Sequence, residues 1–492
     1  MTHVLYSGDS NKVDPPLRST RDLFLSRYFF LSFLYSRYPN FLVQHKPKMP
    51  TRQEVSYFGA GPAPLPTPVV EAGAKAFVNY NDCGLGLGEI SHRSPTANKI
   101  LDDAKANLTA LLDIPDNYEI LFMQAGGSGG FSAVVQNLVS VWIERRRRRA
   151  EADVQKANPS AEKTEVDELV FQRLQKEVDE ELKLDYLVTG SWSLKASQEA
   201  VKLVGSKFVN VALDARKAND GKFGQIPAEN TWSLTPTKRE GGKGSAFVYF
   251  CDNETVDGVE FQSFPKSLEP QGQDEEDERL VVADMSSNFI SRKVDVSKYA
   301  VIFGGAQKNI GVTGITISIV RKDLLPPQTA TPPPALLHRL NIGGLPGPVV
   351  LDYATIAKNN SLYNTLPIFN LWIAGQVMAN LVSAFGEKKV SGQEEIANKK
   401  ADLIYGALDK YPQVYRVVPD KGVRSRMNIC FRVHGGDDAK EKEFLAGAEK
   451  RLLQGLKGHR SVGGMRASNY NAVPLENVQK LVKYLEDFAT GQ

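Results

Sequence analysis

Cysteine is scarce in this 492-residue chain: only Cys83, Cys251 and Cys430 occur, far apart and without CxxC or zinc-like spacing. That excludes a disulfide framework and a cysteine metal site, and points to a reducing compartment with free thiols, each expected in the core rather than as a nucleophile. No metal site is expected. Excess charge of one sign is also missing: 60 Lys and Arg face 57 Asp and Glu, a net +3. Nothing global therefore calls for nucleic acid or a membrane as partner. The N-terminal segment lacks an unbroken apolar run as well. Leu23 to Leu42 is rich in Phe, Tyr and Leu, but Arg27, Arg37 and Asn40 interrupt it, and its charge-free core, Tyr28 to Tyr35, is too short to span a bilayer. A secretory signal would end in small residues, which this stretch lacks. Arg18, Arg21, Arg27 and Arg37 suit a mitochondrial presequence, whereas Asp9, Asp14 and Asp22 oppose one. A cytoplasmic location is the expectation, or a mitochondrial one if residues 1–48 act as a presequence. Residues 1–50 read as an extension, with Met49 a usable start.

What is present is ordinary for a soluble globular protein: 42% hydrophobic and 24% charged residues, in a chain long enough for two or three domains. From Phe58 onward helical and strand patterns alternate. Thr67–Tyr80 and Asn98–Leu112 read as helices, and Tyr118–Met123 as a short buried strand leading through AGGSGGF into a helix at Ser132–Glu144. Further strands fall at Asp185–Thr189, Lys207–Val211, Ala246–Cys251 and Leu280–Ala283. The alternation predicts an α/β fold, a three-layer domain with a mainly parallel sheet. After Ile368 a helix at about Asn370–Phe385 leads to a smaller α+β C-terminal domain, with helices at Gly392–Lys410, Glu441–Leu453 and from Leu475, and a strand at Met427–Val433. The expected division is 51–66 packing with the small domain, 67–390 as the large domain and 391–492 as the small one. The segment 145–183 breaks the rhythm with five arginines, Arg145 to Arg149, then Glu- and Lys-rich sequence. A nucleic-acid patch is the sharper reading; a solvated extension of the preceding helix, balanced by the following acids, is favoured. Inserts at Lys238–Gly244 and Glu269–Glu278 read as flexible, and Pro326–Pro334 as an extended proline-rich loop.

The chemistry centres on Asp284 to Val320, where two apolar strand-like runs flank the turn GGAQKNIGVTG. Lys308 lies in that turn, suited to an amine that reaches a carbonyl inside a site if burial or charge lowers its pKa. The alternative is a surface lysine in a hairpin. Asp284 ends the run LVVA, which places it at the carboxyl edge of a sheet, where ligands bind; capping the next turn is its alternative role. GGSGGF, between strand and helix, offers backbone N–H groups to an anion. The sequence HRS occurs twice, at His92-Arg93 and His459-Arg460, and Arg466 follows nearby; arginine forks suit carboxylates and phosphates.

AQKNIG preceded by DMSSNF resembles the cofactor-lysine segment of the phosphoserine aminotransferase family, class-V pyridoxal-phosphate enzymes of fold type I. The likeness runs in order through FGAGPAPLP (58–66), EISHRS (89–94), TGSWS (189–193), NETVDGVEF (253–261), SLYNTLPIF (361–369), RSRMNI (424–429) and GHRSVGGMRASNYNAVPLE (458–476). It implies pyridoxal 5'-phosphate carried on Lys308, with Asp284 at the pyridine nitrogen, Trp192 stacked on the ring and Thr255 at its side. Gly127, Ser128 and Gln307 would hold the phosphate, joined by Asn364 and Thr365 from the other subunit of a homodimer. Arg466 would take the substrate α-carboxylate. His92, Arg93, His459 and Arg460 would take the distal anion, some of them across the dimer. The implied reaction moves the amino group of L-glutamate to 3-phosphohydroxypyruvate, in L-serine biosynthesis. It leaves open 4-phosphohydroxy-L-threonine as a second substrate. Ser128 stands where bacterial members carry arginine, and Leu366 replaces a proline of the usual NTPP, so both phosphate contacts depart from the pattern. An alanine–glyoxylate aminotransferase-like enzyme, or a non-enzymatic binding protein using the arginine run, are the rival readings.

Overall fold

The computed structural model describes residues 49–270 and 278–492. The expectations for residues 1–48, and for most of the acidic insert, lie outside the described residues. In chain order the principal elements are α1 (Thr67–Val78), α2 (Pro95–Leu112), β1 (Tyr118–Met123), α3 (Gly126–Ala157), α4 (Lys163–Glu181), β2 (Leu184–Val188), α5 (Ser191–Val204) and β3 (Val209–Asp214). There follow β4 (Phe247–Cys251), β5 (Val281–Asp284), β6 (Val301–Gly305), β7 (Thr316–Arg321), α6 (Ile368–Phe385) and α7 (Lys389–Lys410). The last are β8 (Tyr415–Val417), β9 (Asn428–Val433), α8 (Asp438–Lys450), β10 (Met465–Ser468) and α9 (Leu475–Thr490).

Seven strands form one sheet in the order β1-β7-β6-β5-β4-β2-β3. It is parallel except for β7, which pairs antiparallel with both β6 and β1. Successive residues of a strand face opposite sides, and the core divides accordingly. Phe250, Ala283 and Ile302 join one cluster with α2 and α6 residues, while Tyr249, Val282 and Phe303 join another with α3 and α5 residues. Three layers result, as the alternation predicts. The helices are built for it. Ser94 Oγ accepts the Ala97 N–H at 3.1 Å and Pro95 occupies the first turn of α2, whose Ile100, Leu101, Ala104, Leu108 and Leu111 are all buried. On the other face α3 comes so close to β6 that a Cβ on Gly130 would sit 2.5 Å from the Phe303 ring. α6 belongs to a stretch long and apolar enough to cross a membrane, yet its Leu371, Ala374 and Met378 pack into the core.

β8, β9 and β10 make a separate antiparallel sheet. Ile429, Phe431, Phe444, Leu481 and Tyr484 form its own core, which Phe58 enters from the N-terminal side. Ser56 and Tyr57 pair in parallel with Leu453 and Gln454.

Four expectations need correction. The glycine-rich run is not a loop before a helix at Ser132; it is the first turn of α3, which also runs on to Ala157. Arg145 and Arg146 are not on a solvated face. They are buried, Arg145 against Glu278 and Asp323, and Arg146 against Glu177 and Glu181 of α4, which folds back along α3. That removes the two from any nucleic-acid patch. The proline-rich segment turns at Pro326–Gln328 before it extends. Cys83 is exposed, whereas Cys251 and Cys430 are buried as expected.

Candidate active site

The carboxyl ends of β5 and β6 lie side by side, Asp284 opposite Phe303, so the turns after them share one edge of the sheet. The turn after β5 is DMSSNF. Its Ser286 donates from both N–H and Oγ to Asp284 Oδ1, at 2.9 and 2.6 Å, and its Oγ accepts the Gly305 N–H at 3.1 Å. Both bonds fall on Oδ1, which leaves Oδ2 for the cleft that Asp284 lines. Burial pushes this carboxyl upward, against the Ser286 hydrogen bonds and the Lys308 charge.

The turn from β6 to β7 carries Lys308. Its Nζ donates to Thr255 Oγ1 at 2.6 Å, and the side chain is 9% exposed. Burial holds the amine below its ordinary value; Asp284 acts in the opposite sense. The alternative of a surface lysine in a hairpin fails on exposure: β6 and β7 are an antiparallel pair, but the lysine between them is buried. Asn309 anchors the turn, donating to the Ser287 carbonyl and accepting from the Asn471 N–H, at 3.1 and 3.0 Å.

Around Lys308 and Asp284 the same cleft is lined by Trp192, Thr255, Gln307, Gly127 and Ser128. Trp192 projects from the first turn of α5, with the Lys195 ammonium 4.2 Å from its ring centroid. Gly127 and Ser128 open α3, which has no side-chain cap; Gly126 N–H is held by Thr316 Oγ1 at 2.6 Å, and a Cβ on Gly127 would meet nothing within 4 Å. A helix N-terminus with open space before it favours an anion.

Arg466, on β10, reaches in from the C-terminal sheet and donates from Nη1 to the Thr255 carbonyl at 3.1 Å, while its Nε is buried without a hydrogen-bond partner among the described residues. With His459 it lines a second, larger cleft that also contains Arg216, Arg432 and Asp257. Burial, then Arg466, Lys195 and Arg460, lower the His459 pKa, and its Nδ1 lies 2.6 Å from Ser461 Oγ. Arg460 is exposed and lines neither cleft.

The remaining expected residues are not gathered there by one chain. Asn364 donates to Gln124 Oε1 at 2.6 Å, and neither it nor Thr365 lines the cleft. His92 and Arg93 precede α2, away from both clefts; His92 Nε2 is buried without a partner among the described residues. Leu366, in place of proline, is simply core. Sequence reasoning missed Ser286, Glu254 and Asp257, although the first lies in DMSSNF and the others in NETVDGVEF. Burial raises the Cys251 and Cys430 thiols, the first beside the cleft, so neither is a ready nucleophile.

The family model for class-V aminotransferases matches residues 55–188 and 163–481. The chain is 41% identical to the phosphoserine aminotransferase of Saccharomyces cerevisiae over 439 residues, 89% of this chain and 98% of that one. The solved phosphoserine aminotransferase of Bacillus circulans subsp. alkalophilus superposes with a TM-score of 0.69 at 32% identity, over 88% of this chain and 98% of that one. The PLP-bound phosphoserine aminotransferase of Trichomonas vaginalis superposes with a TM-score of 0.67 at 30% identity, over 88% of this chain and 99% of that one.

Proposed function

The chain belongs to the class-V aminotransferases, within the phosphoserine aminotransferase family, and from that premise we propose that it transfers the amino group of L-glutamate reversibly to 3-phosphohydroxypyruvate. The products are O-phospho-L-serine and 2-oxoglutarate, a step of L-serine biosynthesis. One observation carries the reading: a buried lysine amine, lowered by burial, in one cleft with a buried carboxylate, an indole ring and an uncapped helix N-terminus.

Those groups fit pyridoxal phosphate in kind. Lys308 would hold its aldehyde carbon, Asp284 its ring nitrogen and Trp192 its ring face. Gly127, Ser128 and Gln307 would hold its phosphate. When bound, the cofactor supplies an electron sink for negative charge at the substrate Cα. The protein supplies the rest. Lys308 Nζ, disposed to be neutral by burial, takes and holds the proton from the substrate Cα. Asp284, though raised by burial, ionises against a cationic ring nitrogen, since an opposite charge favours the charged form. Arg466 spends Nη1 on the Thr255 carbonyl, and its Nε edge is free to orient the substrate carboxylate.

The same reading includes a homodimer. Phe77 is exposed and lines an apolar groove with Leu65, Val70 and Ile373, and Val78 next to it in sequence is exposed too. An apolar face of this kind favours a second copy. His92, Arg93, Asn364 and Thr365 would then complete the partner's site.

The test is a visible spectrum of the purified full chain after adding pyridoxal phosphate. Glutamate should bleach the cofactor band with release of 2-oxoglutarate, and 3-phosphohydroxypyruvate should restore it. If glutamate leaves the band unchanged and no 2-oxoglutarate is released, the reading is overturned.

A further inference from the structure

Helix α5 begins without a capping side chain, because the residue before it is Gly190. Its first N–H groups are nevertheless all received, by two carboxylates from a segment about sixty residues away. Glu254 Oε2 accepts the Trp192 N–H at 2.8 Å, and Oε1 accepts the Ser193 N–H and Oγ at 2.9 and 2.5 Å. Asp257 Oδ2 accepts the Ser191 N–H at 2.6 Å. Both carboxylates are buried, Glu254 fully. A Cβ on Gly190 would lie 2.3 Å from Glu254 Cγ, so the absent side chain is what lets the carboxylate sit under the helix.

The position of this segment makes the capping more than structural. Between the two acids, Thr255 receives Lys308 Nζ on its hydroxyl and Arg466 Nη1 on its carbonyl. Four consecutive residues thus tie together the ring platform, the lysine and the arginine. The Trp192 indole packs against the core and lies under Lys195, but no hydrogen bond fixes it, since Nε1 is buried without a partner among the described residues. The backbone from which it springs is what Glu254 holds, at residues 192 and 193.

We propose that Glu254, with Asp257, is a positioning clamp that sets Trp192 against the cofactor ring in register with Lys308 and Arg466. The proposal rests on the reading of the cleft as a pyridoxal-phosphate site.

Glu254→Gln keeps the shape but turns one of two acceptors into a donor facing an N–H. Loss of one such bond to a buried group should weaken pyridoxal-phosphate affinity by about 10-fold, read by absorbance titration of the cofactor-free protein. It should also lower kcat while leaving the KM for 3-phosphohydroxypyruvate near wild type. A purely structural role would add its loss to any other. A clamp acting through the indole should instead add less than about 2-fold in the Trp192→Ala background, as coupled residues do. Wild-type affinity in Glu254→Gln, or the same 10-fold loss with and without Trp192, overturns the proposal. If Glu254→Gln does not fold, Asp257→Asn and Ser193→Ala carry the same cycle with smaller steps. A wild-type chain that binds the cofactor but does not turn over phosphoserine would overturn the substrate reading and leave the clamp standing.

Discussion

Two of the regions in which this protein buries charge do it differently. Along the hairpin of α3 and α4, Arg146 meets Glu177 and Glu181 and accepts the Trp142 ring beneath its guanidinium at 4.1 Å. Arg145 meets Glu278 and Asp323. Charges there are matched by opposite charges. In the cleft, Lys308 touches a neutral hydroxyl and Asp284 a neutral serine, with no ion pair between the two among the described residues. Taking charge out of water is costly unless it is paired. The hairpin meets that cost within the fold. The cleft leaves it unmet, so its groups gain when a ligand of matching charge arrives.

The strongest way to break this comparison is Lys308→Ala. If the cleft holds an amine for chemistry, transamination falls by at least about 10³-fold, within the range of a lost general base. The visible band of the bound cofactor disappears with it. Thermal stability should not fall, because an unpaired buried amine is removed; a large loss in Tm with activity retained would invert the assignment of the two regions.

Arg146→Ala is the opposite experiment. Removing the guanidinium leaves, among the described residues, Glu177 only Arg173 and Glu181 only Lys243 as counter-charges, for which a loss of about 1.5–3 kcal/mol is expected from denaturant midpoints. Turnover per folded molecule should stay at the wild-type value. Unchanged stability would mean the hairpin charges are as solvated as the sequence suggests.

That suggestion was reasonable, and its failure is instructive. Five consecutive arginines sweep all sides of a helix, and nothing local says which are buried; the return of α4 supplies the partners of Arg146, while Glu278 and Asp323 supply those of Arg145. Strands that are short apolar runs were legible, Tyr118–Met123 to the residue, but β3 begins two residues after the expected start at Lys207, and β8 and β10, which mix polar and apolar residues, were not expected. Lys308, Asp284, Trp192 and Thr255 were legible through their motifs and do share one cleft. Glu254 was quoted in the same motif as Thr255 yet passed over, because its partners at residues 192 and 193 become neighbours only after folding. Cys83 illustrates the reverse error: scarcity suggests burial, but it sits in an exposed turn next to Asp82.

Lys400 offers the finest test, because it is a buried amine that, among the described residues, has no counter-ion and lines neither cleft. It is fully buried in α7, and its Nζ donates to the carbonyls of Tyr470 and Val473, each at 2.9 Å. Burial brings this amine down to about 7. The unfolded chain then holds a proton between about pH 7 and the ordinary 10.5 that the folded chain does not. The contribution of Lys400 is therefore full above the unfolded value and is lost as pH falls toward 7, at about 1.4 kcal/mol per pH unit. Lys400→Met strands two carbonyls, a penalty that does not depend on pH. The difference in stability between wild type and Lys400→Met should therefore widen as pH rises from 7.5 to 9, while the buried acids, common to both, cancel. A flat difference would mean that the amine keeps its charge inside, and that a buried cation in this fold needs no carboxylate at all.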